Sequence, residues 1–138
     1  MTAVTKNLDI EQGATFVLSF VWYTGTITVP GAPVNLTGYT ARMQIRVKQG
    51  DPVLWEGAVG DGIVIDGPAG KVTITLTDTD TDAFTVSTAV YDLELIAPGG
   101  SPVVRLLQGS VKISPNITQV TGAVLMTAEE PSRFLIRR

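Results

Sequence analysis

The stretch LTDTDTDAF, residues 76–84, carries Asp78, Asp80 and Asp82 at alternate positions. Carboxylates in that spacing are the first oxygen donors of a calcium loop, which then needs a glycine for its sharp turn and a glutamate at its twelfth position. The chain offers Ala83 and Ala89 at those places. The alternative is a capped strand end. Asp78 or a neighbouring threonine caps a single helical turn, Asp80 and Asp82 favour its positive N-terminal end, and Phe84 tucks into the core. The missing glycine and glutamate favour the cap, so no metal site is expected.

Asp92 and Glu94 share a face, because residues two apart in a strand project the same way. Paired carboxylates can divide general acid and base work, but spacing alone is a poor warrant. A facing basic row of Arg42, Arg46 and Lys48 would pair with them across strands. The glycines of GAVGDGIVIDGPAG, residues 57–70, lack the GK[ST] and the following helix that a phosphate loop requires, and read as turns. Trp22, Trp55 and Tyr23 are the side chains that could stack on a sugar. Trp22 shares parity with Phe16, Leu18 and Phe20, which assigns it to the core.

The chain has no histidine and no cysteine. The commonest general base, the usual imidazole ligand and every Ser-His or Cys-His pair are therefore missing, as are disulfides and thiolate metal sites. No catalytic residue and no cofactor is expected, and the protein is not expected to be an enzyme. Its 138 residues suit one domain, of which 44% are hydrophobic and only 17% charged, so part of the surface is expected to be covered by partners. The net charge is −3 and the basic residues form no long patch, which argues against nucleic acid. Neither a signal peptide nor a run of about eighteen apolar residues is found, so secretion by signal peptide and a membrane span are not expected.

The elements that must position these side chains read as strands. ATFVLSFVWY (14–23) alternates with apolar residues on both parities, as in a central strand covered on both faces. TARMQIRV (40–47) sends Ala41, Met43, Ile45 and Val47 inward and a basic row outward. VTITLT (72–77) buries Val72, Ile74 and Leu76, and AVYDLELI (89–96) buries Tyr91, Leu93 and Leu95. PVVRLLQGSVKIS (102–114) needs a bend or bulge near Gly109 to explain why Arg105 falls on the apolar parity. Shorter runs lie at 53–57 and 62–65. Turn residues separate them at 30–31, 50–51, 60–62, 66–68 and 98–100, and residues 89–114 read as a hairpin across Pro98–Ser101.

This pattern predicts an all-β fold, an immunoglobulin-like β-sandwich of about seven to eight antiparallel strands without the disulfide. Residues 1–7 are an N-terminal extension and 8–114 the sandwich. Residues 115–138 are an extended arm whose apolar pieces, Val124, Leu125 and Met126 and then Phe134, Leu135 and Ile136, are too short for a core of their own. They are the expected protein-interface residues, packing on a neighbouring subunit or partner.

The pieces LDIEQGATF, NLTGYTARMQIR, DGPAGKVTITLTDTDTDAF, YDLEL and RLLQGSVKISPNIT together resemble a family of small structural proteins of tailed bacteriophages and prophages. The resemblance spans about residues 8–118. The chain is more distantly similar to the N-terminal domain of upper-baseplate proteins that attach receptor-binding proteins to a phage tail. None of these motifs is catalytic. The resemblance implies a virion protein assembled in the host bacterial cytoplasm, a tail or baseplate adaptor docking a fibre, spike or ring component. It also implies a homo-oligomer of three, six or twelve copies. Capsid decoration is the alternative within structural proteins, and a carbohydrate-binding module using Trp55 or Tyr23 is the alternative of another class.

Overall fold

The computed structural model describes residues 3–25 and 30–117. Period-two alternation appears there as eleven strands, with one α-helical turn and a shorter 3-10 turn at Pro98–Gly100. They are β1 (Val4–Thr5), β2 (Leu8–Glu11), β3 (Phe16–Val21), β4 (Tyr23–Gly25), β5 (Pro30–Pro33), β6 (Thr40–Arg46), β7 (Val53–Val59), β8 (Gly62–Asp66), β9 (Lys71–Leu76), α1 (Asp78–Asp82), β10 (Thr88–Ile96) and β11 (Val103–Ser114). Hydrogen-bonded neighbours follow the order β1, β11, β10, β6, β7, β8, β9, β3, with β2 also lying on β11. Strands β4 and β5 form a separate two-stranded ribbon.

The chain is all-β and closes as a sandwich because the sheet turns a corner between β7 and β8. Ala58 N–H donates to the Asp61 carbonyl at 2.9 Å and Asp61 N–H donates back to the Ala58 carbonyl at 2.8 Å, while Gly60 and Gly62 adopt φ of 87° and 89°. Only glycine takes such angles without strain. Past the corner, β8, β9 and β3 lie over the layer built from β7, β6, β10, β11 and the N-terminal strands. Ile63, Val72, Ile74 and Leu76 join Ala41, Met43, Ile45, Leu93, Leu95, Val111 and Ile113 in one buried cluster. Its full closure is what a chain without disulfides depends on, each buried aliphatic side chain contributing on the order of 1.5–3 kcal/mol.

The parity read for β6, β9 and β10 is observed, except that Val47 lies past the end of β6 and is exposed. The hairpin of β10 and β11 is present, joined by a short helical turn at Pro98–Gly100. Its bulge sits elsewhere than expected. Leu93 faces Leu107 while Glu94 faces Arg105, so the extra residue is Leu106 and not a neighbour of Gly109. Leu106 and Leu107 are consequently both buried, and the inward parity switches between them.

Three further expectations are corrected. Among the described residues β3 pairs only with β9 and is an edge strand, not a central one. Its mixed hydrophobicity reflects an uncovered face rather than a second layer. Pro30–Pro33 is an edge ribbon strand instead of a turn, a place where proline's missing N–H is tolerated. Not every pairing is antiparallel, since β1 and β2 run parallel to β11. Residues 4–6, within the expected N-terminal extension, are fastened to their own chain.

That fastening is specific. Lys6 N–H donates to the Gln108 carbonyl at 2.8 Å, Ser110 N–H donates to Asn7 Oδ1 at 3.1 Å, and the Tyr91 hydroxyl donates to the Lys6 carbonyl at 2.6 Å. Gly109 leaves room for the Lys6 carbonyl, which any Cβ there would strike. Burial pushes the Tyr91 hydroxyl up from 10.0 to about 12. A group that holds its proton more tightly when folded contributes fully below its unfolded value and loses that contribution as pH climbs to its folded value. Stability to denaturant should therefore fall between pH 10 and about 12 more steeply in the native chain than in Tyr91→Phe, and equal slopes in the two proteins would contradict this.

Candidate functional site

The aspartate stretch forms a capped turn. Thr77 Oγ1 accepts from Asp80 N–H at 3.1 Å, and Asp80 Oδ2 accepts from Thr77 N–H at 2.9 Å, a reciprocal capping box. Asp78 Oδ1 accepts from Thr79 N–H at 3.0 Å. The fully buried Thr81 accepts from Gly13 N–H at 3.0 Å and donates to the Ala14 carbonyl at 2.9 Å, tying α1 to the turn between β2 and β3. Phe84 is buried beneath. Among the described residues no three acidic side chains converge to hold a metal ion.

Asp92 and Glu94 lie on the outer face of the layer that holds β6, β10 and β11 and meet basic partners. Glu94 faces Arg42 on β6, with Arg42 Nε 2.6 Å from Glu94 Oε1, and Asp92 Oδ2 is 3.5 Å from Arg105 Nε. Arg46, expected in the same row, instead donates to the Asp51 carbonyl and to Gln44 Oε1. Gln44 in turn donates to Glu56. A shallow depression of about 540 Å³ lies over Gln44, Arg46, Asp92, Arg105 and Gln108. With its carboxylates at the surface and bonded to cations, this face offers polar recognition rather than an acid–base pair. Such exposed pairs contribute about 0–1 kcal/mol each.

The aromatic residues divide. Trp22 and Trp55 are partly buried and packed on the core, and the six-membered ring of Trp55 lies against Gly57 and Gly62 at the corner. Tyr23, on the ribbon, is 51% exposed. The three do not form one platform, because Trp22 and Trp55 are committed to packing.

What the structure exposes is an apolar edge. Among the described residues β3 has a partner on one side only, so alternate backbone N–H and C=O groups of Phe16–Val21 face outward without a ladder partner there. The adjoining outer face is also poor in charge. Val17 is 57% exposed and Val64 65% exposed, flanking Thr73 and Thr75, with Ser19 Oγ 3.4 Å from Thr73 Oγ1. The opposite edge is different in kind: β2 is four residues long, and Asp9 and Glu11 face solvent from it. Charges and short length are how edges are kept from pairing with other chains, and β3 has neither charge nor proline.

The sequence carried a signal for this edge: no charged residue occurs between Glu11 and Arg42. A free-standing surface strand would interrupt such a run. The interface residues expected in the arm, Val124, Leu125, Met126, Phe134, Leu135 and Ile136, lie outside the described residues. Of the arm, Pro115–Ile117 is described, and Asn116 N–H donates to Gln12 Oε1 at 2.9 Å.

Because Asp80 is engaged in the capping box, Thr77→Ala should lower stability by about 0.5–2 kcal/mol, read from denaturant unfolding. Millimolar calcium should leave the melting temperature of the native chain unchanged. A calcium-dependent rise in Tm abolished by Asp78→Ala would show a cation site instead.

No family model matches the sequence, and no curated protein matches it. Among solved structures, the chain is similar to CopC from Methylosinus trichosporium OB3b at 13% sequence identity. The match covers 82% of this chain and 90% of that one, with a TM-score of 0.43. A likeness at that level carries no functional argument, and no family is assigned from it.

Proposed function

We propose that the chain is a virion structural protein of a tailed phage. In this reading it is a tail or baseplate adaptor that docks a fibre, spike or ring component through protein surfaces. The observation that carries a docking role is the bare edge of β3 beside the exposed Val17 and Val64. An uncharged strand of six residues, paired on one side and open on the other among the described residues, is a template for strand addition, in which main-chain bonds supply affinity and alternate side chains supply selectivity. Natural sheets rarely leave such an edge in water. The motif resemblance to tailed-phage structural proteins supports the setting, and the paired state of the outer carboxylates supports recognition over catalysis.

Assembly then proceeds by surface complementarity, without a cofactor. Copies arranged around the tail axis repeat the same contact, giving a closed homo-oligomer. The C-terminal arm carrying Val124–Met126 and Phe134–Ile136 adds apolar area to that contact on a neighbouring subunit. The partly polar face over Arg42, Glu94 and Arg105 is left to orient partners.

The test is localisation and mass. Particles carrying a tagged copy, decorated with gold and viewed by negative-stain microscopy, should show label at the tail end, and the purified chain should run as a closed oligomer by native mass spectrometry. Label over the head would replace the adaptor with a decoration protein. A monomer absent from particles, but bound to a glycan array in a Trp55-dependent way, would replace assembly with carbohydrate binding.

A further inference from the structure

Two charge-free stretches of this chain are matched in character. One runs from Gln12 to Ala41 and contains β3; the other runs from Ile113 to Ala128 and leads out of β11. The second leaves the fold at a definite place. Gln12 N–H donates to the Ser114 carbonyl at 2.9 Å and Gln12 Oε1 accepts from Asn116 N–H at 2.9 Å, so the exit lies beside the turn that opens β3. Residues 118–127, TQVTGAVLMT, follow directly. They are rich in strand-forming side chains and, extended, reach about 33 Å, more than the roughly 20 Å of a six-residue strand.

Three occupants of the β3 edge can be compared. Edge-to-edge pairing of β3 with β3 of a second copy adds a single six-residue ladder between two copies, whereas reciprocal exchange of arms adds one such ladder for each copy together with the apolar side chains of the arm. The chain's own segment, leaving past Asn116 beside Gln12 at the turn that opens β3, would run in the same direction as β3, and parallel ladders are slightly weaker per residue. A segment from a copy related by a two-fold axis across the strand would run in the opposite sense, antiparallel to β3 as β9 is on the other side. Its apolar side chains then extend the surface formed by Val17 and Val64, where neither partner carries a charge to desolvate.

We propose that residues 118–127 of one copy add as an antiparallel strand to the free edge of β3 in a neighbouring copy, joining copies by exchanged C-terminal strands. The inference rests on the homo-oligomeric reading above and names the contact that makes the oligomer.

The chain contains no cysteine, so introduced thiols have no background. Full-length Ser19→Cys is mixed with full-length chains carrying one cysteine at each position from Thr121 to Thr127 in turn. Disulfides between different chains should form at alternate positions, at least about tenfold faster than with exposed Thr85→Cys as the control partner, as expected for a contact with millimolar effective concentration. In the unsubstituted chain, amide exchange of Val17, Ser19 and Val21 should accelerate on dilution as copies separate. Intramolecular bonds alone in a chain carrying both cysteines, with exchange independent of dilution, would overturn the proposal in favour of the chain's own segment. Ser19–Ser19 links faster than any arm link would overturn it in favour of edge-to-edge pairing. An oligomer by native mass with no link above control would sink this contact but leave the assembly reading intact, whereas a monomer at every concentration would sink both.

Discussion

Ile45, Ile63, Ile74 and Leu93 are sealed completely from water, and they are so only because the sheet doubles back between β7 and β8. With neither disulfide nor a cluster of metal ligands among the described residues, the fold holds by apolar faces that must cover each other. One tight corner at Gly60–Gly62 sets the angle at which they meet. The placement of Trp55 across that corner follows, as does the outward position of Arg42, Asp92 and Glu94. Residues that alternate with a sealed face have nowhere else to go.

A sheet that folds over itself without closing has two ends, and the two ends of this one are treated differently. At one, β1 and β2 are short, β2 carries Asp9 and Glu11 outward, and the segment between them is held by Tyr91 and Asn7 against the room that Gly109 leaves. At the other, β3 is uncharged and, among the described residues, open along its outer side. The contrast separates a protected edge from a receptive one in the same molecule. It also explains how a protein with its carboxylates at the surface and no convergent acidic cluster among the described residues can still have a surface with chemical character: unsatisfied main-chain groups are themselves ligands.

Much of this was legible in residue order. The parities of β6, β9 and β10, the β10–β11 hairpin and the capped turn at Thr77 are local facts, each fixed within a few residues, and a short window reads them. The bulge at Leu106 was mislocated because Gly109 looks like the natural breaker, yet Gly109 serves close approach of Lys6, a neighbour distant in sequence. The edge status of β3 was missed for the same reason. Hydrophobicity on both parities is what a central strand shows, and only the pairing partners reveal that one side is empty. For Asp92 and Glu94 the type of partner was legible while its identity was not, since Arg105 reaches Asp92 from β11 and Arg46 turns away to the Asp51 carbonyl.

The parallel docking of Val4 on Leu107 and of Leu8 on Val111 has a bearing on synthesis. Strands β1 and β2 find their berth only after the rest of the described fold has been translated, because β11 does not exist until then. Until that moment Leu8 and Ile10, fully shielded in the finished molecule, must wait uncovered. Contacts spanning so much of the polypeptide make collapse slow compared with local hairpins, and chaperone capture of the nascent N-terminus is the natural companion of such a topology.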